Sequence, residues 1–374
     1  MSDHPASRIP VLIASTLKPI QDPRAFGKLA LSLGETNKYQ INIIGFSSKK
    51  LENPSDFRYF SSMGDFSSWS RIGAQFRFFW NLLKIRPHLV ISCTWEYLPI
   101  LSLMKPILGF KLVYDVQENY TFNLDLNPRL NEDKKQKRAS WIRWAEKHAR
   151  VDLYLLAEKC YQEEMPEKKP FLVLENKFQG QYQKATPKNF KKQTEFKFCI
   201  TGTLTPTFGT VQAIRWFQEI QKVYPKSKLS IIGHAPVPDF FQKLKGIEKE
   251  SHGIDWTISQ TPIPHEQLIH TIAAADFSLL PYSLHSAIAD KMPSKLFECA
   301  ALGTPVLITP NPKWENFLAP FRGGFGIDFS DLMQAVPMFQ QAIRQTYFST
   351  PAPEEVLWGS QKSEFQEAIY QLLS

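Results

Sequence analysis

Short, almost wholly apolar runs recur along the chain, each followed by a helix-like stretch, and this alternation restricts the fold more than any other feature. Residues 9–14, 41–46, 89–92, 112–114 and 153–156 are such runs, and 24–33 between the first two has helical character. A strand with one wet face alternates apolar and polar residues. A run apolar on both faces belongs to a parallel sheet covered by helices on both sides. A second series repeats the pattern at 196–201, 229–232, 277–280 and 306–308, with a helical stretch at 211–223.

The text between the two series changes character. Residues 179–195 are rich in Gln, Lys, Thr, Asn and Pro, which reads as a linker. At 374 residues the chain exceeds what one hydrophobic core serves. The expected organisation is therefore an α/β domain over 1–178, a linker over 179–195, a second α/β domain over 196–350, and a C-terminal segment over 351–374. In that last segment, Leu357, Phe365, Ile369 and Leu372–Leu373 mark an amphipathic helix expected to pack back towards the first domain.

Several classes are excluded. The apolar run 97–110 is interrupted by Pro99, Lys105 and Pro106 and is too short to cross a bilayer. The polar N-terminus, 1–8, leads straight into a strand and has no signal-peptide pattern. Cys93, Cys160, Cys199 and Cys299 are scattered without a CxxC pair, which fits a reducing, cytoplasmic setting. No His/Cys spacing suggests a metal, and no aromatic-plus-basic motif of known type suggests nucleic acid.

Charge is uneven. Residues 1–185 hold 27 Lys/Arg against 19 Asp/Glu, and 186–374 hold 17 of each, so the first half carries the whole net +8. Within it, 69–86 interleaves aromatics with Arg71, Arg77, Lys84 and Arg86. That composition suits either a domain helix with its aromatics in the core or a helix lying on an anionic membrane. The basic run 134–138 is a solvated helix start or part of the same rim.

In open parallel sheets, ligands sit beyond the carboxyl ends of the strands. There, Pro293 opens a helix and Gly303 and Pro305 close it, so Lys295 falls in its first turn, where the helix dipole disfavours a cation unless an anion is bound. Glu298 shares its face and is an acceptor suited to a diol. A solvated Lys–Glu surface pair has the same spacing. Gly202 and Gly209 bracket a loop that permits close backbone approach before a helix N-terminus.

The stretches "KMPSKLFECAALGTPVLI", "ITGTLTPTFGTVQAI", "LSIIGHAP" and "IPHEQLIHTIAAADFSLLPY" resemble glycosyltransferases of the GT-B fold, near glycosyltransferase family 4 (glycosyl transferases group 1). In the first half, "PIQDPRAFGKLALSLGE", "LVYDVQENY" and "VLENK" are similar to the matching segments. The resemblance implies two Rossmann-like doubly wound domains with a central cleft and a C-terminal helix. It further implies sugar transfer from a UDP- or GDP-linked nucleotide-sugar to a lipid-linked acceptor or a growing glycan, with retention of configuration and no metal or other cofactor. Glu298 would bind the ribose; Gly202, Thr203, Ser294 and Lys295 would border the diphosphate. Gly233, His234 and His265 would flank the base, and Asp290 would hold sugar hydroxyls. Asp290, Lys295 and Glu298 would form the catalytic set, with Arg24, Asp115, Gln117 and Glu118 facing the cleft from the acceptor side.

Three residues depart from the family pattern: Asp290 where Glu is usual, Phe208 where the loop has a cation, and Gln117 where an imidazole is usual. Phe208 and Gln117 keep open a non-catalytic relative, and nucleotide-sugar 2-epimerases, which share the GT-B fold, remain an alternative although the chain only partly offers their acidic and histidine cleft residues. The expected setting is cell-envelope polysaccharide synthesis, in the cytoplasm or peripheral at the inner membrane face, with the first domain meeting anionic lipid.

Overall fold

The computed structural model describes residues 8–47, 57–64, 68–124 and 130–374, without the side chains of 68, 69, 286 and 287. The N-terminal residues 1–7 and the Trp69 side chain, both part of the readings above, lie outside the described residues. The chain divides into two compact units, Met1–Gln179 with Trp358–Ser374, and Gly180–Leu357.

The first unit is built on a parallel sheet of seven strands: β1 (Ile9–Pro19), β2 (Tyr39–Phe46), β3 (Phe57–Ser61), β4 (Leu89–Ser92), β5 (Lys111–Val116), β6 (Leu153–Leu156) and β7 (Phe171–Val173). Their spatial order is β3-β2-β1-β4-β5-β6-β7, which reverses direction between β1 and β4. Side chains of β1 alternate between two cores. Val11 and Ile13 pack with Leu29, Leu33, Trp358, Phe365 and Ile369. Leu12 and Ala14 pack with Phe78, Leu82, Leu98, Leu101 and Ala145. One face is thus covered by the helical segment 25–34 and the C-terminal helix Gly359–Leu373, the other by Ser68–Ile85, Leu98–Leu108 and Glu132–His148. Apolar text on both sides of every central strand is what this double cover requires.

The second unit repeats the plan with β9 (Lys197–Thr203), β10 (Lys228–His234), β11 (Ile254–Ser259), β12 (Phe277–Leu280), β13 (Val306–Ile308) and β14 (Gly324–Gly326), ordered β11-β10-β9-β12-β13-β14. All pairings within this six-stranded sheet are parallel. Phe196, Phe198, Trp216, Phe277 and Phe339 form an aromatic core at β9 through edge-on, tilted and stacked contacts. Residues 180–195, read above as linker, lie in this unit: β8 (Lys188–Asn189) pairs antiparallel with β15 (Thr346–Tyr347), and Phe190 packs on Phe277 at 4.6 Å. Phe190, buried against Phe277 and Tyr347, anchors a segment whose composition is otherwise polar. Among the described residues no helix is long and apolar enough to cross a membrane.

Candidate functional site

The second sheet reverses order between β9 and β12, and the chain turns leaving β9 and β10 lie at the carboxyl ends where a ligand is expected. Gly202 and Thr203 of β9 are in register with Gly233 and His234 of β10. Two glycines are needed here. A Cβ on Gly233 would sit 1.9 Å from the Gly202 carbonyl oxygen, and Gly202 itself adopts φ +103°, a region that strains any other residue. The strands therefore approach more closely than side chains would allow. Burial holds the half-buried His234 imidazole below its ordinary pKa, which favours its neutral form.

The helix Ser294–Leu302 starts after Pro293, whose extended backbone caps it, and ends at Gly303 in the left-handed region. Every residue from Lys295 to Leu302 is buried. Two charges on such a helix are costly unless paired, and they are: Lys295 Nζ donates to Glu298 Oε2 at 2.7 Å, with Lys295 9% and Glu298 4% exposed. The pair is internal, not a solvated surface pair. His265, the first residue of the helix His265–Ala274, places Nε2 3.3 Å from Glu298 Oε1. Burial would raise the Glu298 pKa, but the Lys295 ammonium and the His265 hydrogen bond overcome it and hold the carboxyl at about 2. Glu298 is thus a fixed, ionised acceptor with lone pairs left for a hydroxyl donor.

Lys295 also lies over the glycine turn, its Cε 3.2 Å and Nζ 3.7 Å from where a Gly202 Cβ would be. A small pocket beside it is lined by Thr201, Thr203, Phe208, Thr210 and Tyr282. The Thr201 and Thr210 hydroxyls are buried with no hydrogen-bond partner among the described residues. Such groups cost about 1–3 kcal/mol each when left unpaired, so both are available to hydrogen-bond a polar ligand or water in this pocket. Reading the sequence did not single out these threonines or Tyr282; their adjacency to Gly202 and Gly209 was the available signal. Phe208 packs against the Tyr282 ring at 4.7 Å, a contact that accounts for an aromatic where the resembled family has a cation. Ser294 is half-buried at the helix start. Asp290 is exposed, and its backbone carbonyl accepts from Lys313 Nζ.

The first-unit residues form a different arrangement. Arg24 is 4% exposed and Asp115 fully buried. The Arg24 guanidinium donates to both Asp115 oxygens, with Nη2–Oδ1 at 2.7 Å, and through Nη1 to the Leu174 carbonyl and Asn176 Oδ1. Arg24 was expected to face a substrate. Its donors are instead spent inside the unit, because only a full set of acceptors offsets the burial of a guanidinium. Gln117 Nε2 donates to Asp115 Oδ2 at 2.7 Å while its Oε1 accepts from Lys18 Nζ, a partner not foreseen. Of the four, Glu118 is exposed; it accepts from Asn123.

Residues 181–346 match the family model "Glycosyl transferases group 1". Sucrose-phosphate synthase of Thermosynechococcus elongatus is similar in fold, with TM-score 0.69, 12% identity, and coverage of 98% of this chain and 99% of that one. HepE of Anabaena, solved with UDP-glucose, gives TM-score 0.63 at 10% identity over 97% and 100% of the two chains. The catalytic domain of starch synthase IV of Arabidopsis thaliana, bound to ADP and acarbose, gives 0.59 at 12% over 98% and 100%. No curated protein sequence matches the chain. The two Rossmann-like units are those of the GT-B fold.

Proposed function

Taking residues 181–346 as a glycosyl transferases group 1 domain on a GT-B fold, we propose that this enzyme moves a sugar from a nucleoside-diphosphate sugar, UDP- or GDP-linked, to a glycan or lipid-linked acceptor. The observation that carries the reading is the buried Lys295–Glu298 pair beside the Gly202 turn. A buried cation against a close-packed glycine turn suits a diphosphate, which the backbone of Gly202 and Thr203 and the N-terminus at Ser294 would also meet. Glu298, ionised and anchored by Lys295 and His265, is suited to accept both hydroxyls of a ribose. Gly233, His234 and His265 are the groups proposed for the base.

Catalysis then rests on charge. As the bond to the anomeric carbon breaks, negative charge grows on the β-phosphate, and Lys295 and the helix terminus stabilise it. No metal or other cofactor is assigned a step. Asp290 is proposed to hold sugar hydroxyls, and the transfer to retain configuration. Glu118 and Gln117 are proposed for the acceptor side, in cell-envelope polysaccharide synthesis at the inner face of the membrane. The relatives solved with UDP-glucose and with ADP and acarbose support the donor class.

Mass analysis after incubation with a panel of nucleotide sugars and a membrane lipid extract tests the reading. Release of the nucleoside diphosphate together with a glycosylated product is the expected result. An isomerised nucleotide sugar with no release assigns an epimerase, and an unchanged donor removes the enzymatic reading.

A further inference from the structure

The first unit has two outer surfaces of opposite character. On one, the helical segment 25–34 and the helix Gly359–Leu373 carry two Lys/Arg and two Asp/Glu, a net of zero. On the other, the helices Ser68–Ile85, Leu98–Leu108 and Glu132–His148 carry ten Lys/Arg and three Asp/Glu, a net of seven positive charges. The excess charge of the chain is therefore concentrated on one three-helix layer.

The same layer exposes apolar side chains that have no place in its core. Ile72, Phe76 and Trp80 stand at four-residue spacing on the first helix, with Trp80 67% exposed. Leu103 and Ile107 do so on the second, and Trp141, 63% exposed, and Trp144 on the third. Each helix meets its sheet through other residues, such as Phe78 and Leu82, Leu98 and Leu101, and Ala145. The exposed set therefore lies on the outward side of three helices that share one core. The second and third helices are in contact, and Lys105 Nζ donates to the Arg150 carbonyl just beyond the end of the third at 2.6 Å. Seven of the twelve large apolar side chains exposed among the described residues are in this layer. Isolated exposed apolar residues need no explanation, whereas seven on the three helices that cover one side of a sheet do.

We infer that this three-helix face docks the protein on an anionic lipid bilayer, with Trp80, Trp141 and Trp144 seated at the headgroup level and Arg71, Lys137, Arg138 and Arg143 against lipid phosphates. Tryptophan favours that level because its ring is apolar with one polar edge, and basic residues beside it gain from the negative surface potential. A nucleic acid would satisfy the basic residues and leave Ile72, Leu103 and Ile107 without a partner. A protein interface would deplete charge around its apolar centre. The inference deepens the proposed membrane-side acceptor and rests on that reading for its role, but it is tested without substrate.

The test is flotation of the full chain with vesicles of phosphatidylcholine alone and of phosphatidylcholine mixed with phosphatidylglycerol. The protein is expected to float with the anionic vesicles and to be released as salt rises. Lys137→Glu with Arg138→Glu should lower partitioning by on the order of fivefold for each charge removed, and Trp141→Ser with Trp144→Ser should lower it independently. Lys243→Glu with Lys249→Glu, an equal charge change on an exposed helix of the second unit, should leave it intact. Absence of flotation, or flotation untouched by both first-unit variants, overturns the inference. So does a concentration-dependent dimer abolished by the tryptophan variant, which assigns the face to a second copy. Nucleotide binding measured on the same samples separates failure of the docking face from failure of the donor site.

Discussion

Replacing Lys295 with Met keeps most of the side-chain volume and removes the ammonium that lies 2.7 Å from Glu298 Oε2. The carboxyl it leaves behind is 4% exposed and keeps only the longer, 3.3 Å contact to His265. In the intact protein the Glu298 pKa falls from an ordinary 4.5 to about 2, which at about 1.4 kcal/mol per factor of ten is worth about 3 kcal/mol. Breaking a buried pair by deleting one partner costs about 3–5 kcal/mol, in the same range. For a unit the size of Gly180–Leu357, that predicts a fall of roughly 6–12 °C in its melting temperature at pH 7. The pH dependence has a definite sign. Because the folded pKa lies below the unfolded one, the contribution is fully present above about pH 4.5 and is lost as the pH falls towards 2. In the variant, burial acts with no ammonium to oppose it, so the folded carboxyl takes up a proton at higher pH. The deficit should be largest near pH 7 and narrow towards pH 4. Scanning calorimetry across that range, with Lys295→Met/Glu298→Gln as a partial rescue, reads both effects. A loss below about 1 kcal/mol at pH 7, or a deficit constant from pH 7 to pH 4, would refute the reasoning.

Arg24→Met leaves Asp115 buried against Gln117 alone and should cost about 3–5 kcal/mol in the first unit; urea titration should show that unit unfolding earlier, and Asp115→Leu added to it should restore much of the loss. Gly233→Ala drives a Cβ into the Gly202 carbonyl and should destabilise the second unit by about 1–3 kcal/mol while abolishing nucleotide binding; unchanged melting would show that the strands are not so close. Truncation before Trp358 uncovers the core that Trp358, Phe365 and Ile369 complete. At about 2 kcal/mol or more for each such side chain, the loss approaches the whole stability of a domain, so hydrogen exchange should find the first unit unprotected.

The central strands were legible because each is buried on both faces: residues 89–92, 153–156, 277–280 and 306–308 coincide with strands of the structure. Within the two large sheets, the strands that escaped notice are the edges, β3 and β7 of one and β11 and β14 of the other. β11 reads Ile-Asp-Trp-Thr-Ile-Ser and β14 Gly-Phe-Gly; with a neighbour on one side only, neither needs a continuous apolar run. The spacing of Lys295 and Glu298 was visible, but their burial was not, because the surroundings that enclose them come from distant β9 and the helix His265–Ala274. The partners of Arg24 were invisible for the same reason: Asp115, Leu174 and Asn176 are remote in sequence, and a basic residue after a first strand looks alike whether it meets substrate or an internal carboxylate.

Calorimetric titration of the full chain with UDP, GDP, ADP, CMP and TDP, repeated with Glu298→Ala and Lys295→Ala, bears most directly on the donor site. At least one nucleoside diphosphate should bind the intact protein, with the affinity lost or reduced by about tenfold or more in each variant, the scale of a charged hydrogen bond. If none binds, or if both variants bind as the intact protein does, the Lys295–Glu298 pair is a structural feature of its helix and the donor-site account is wrong.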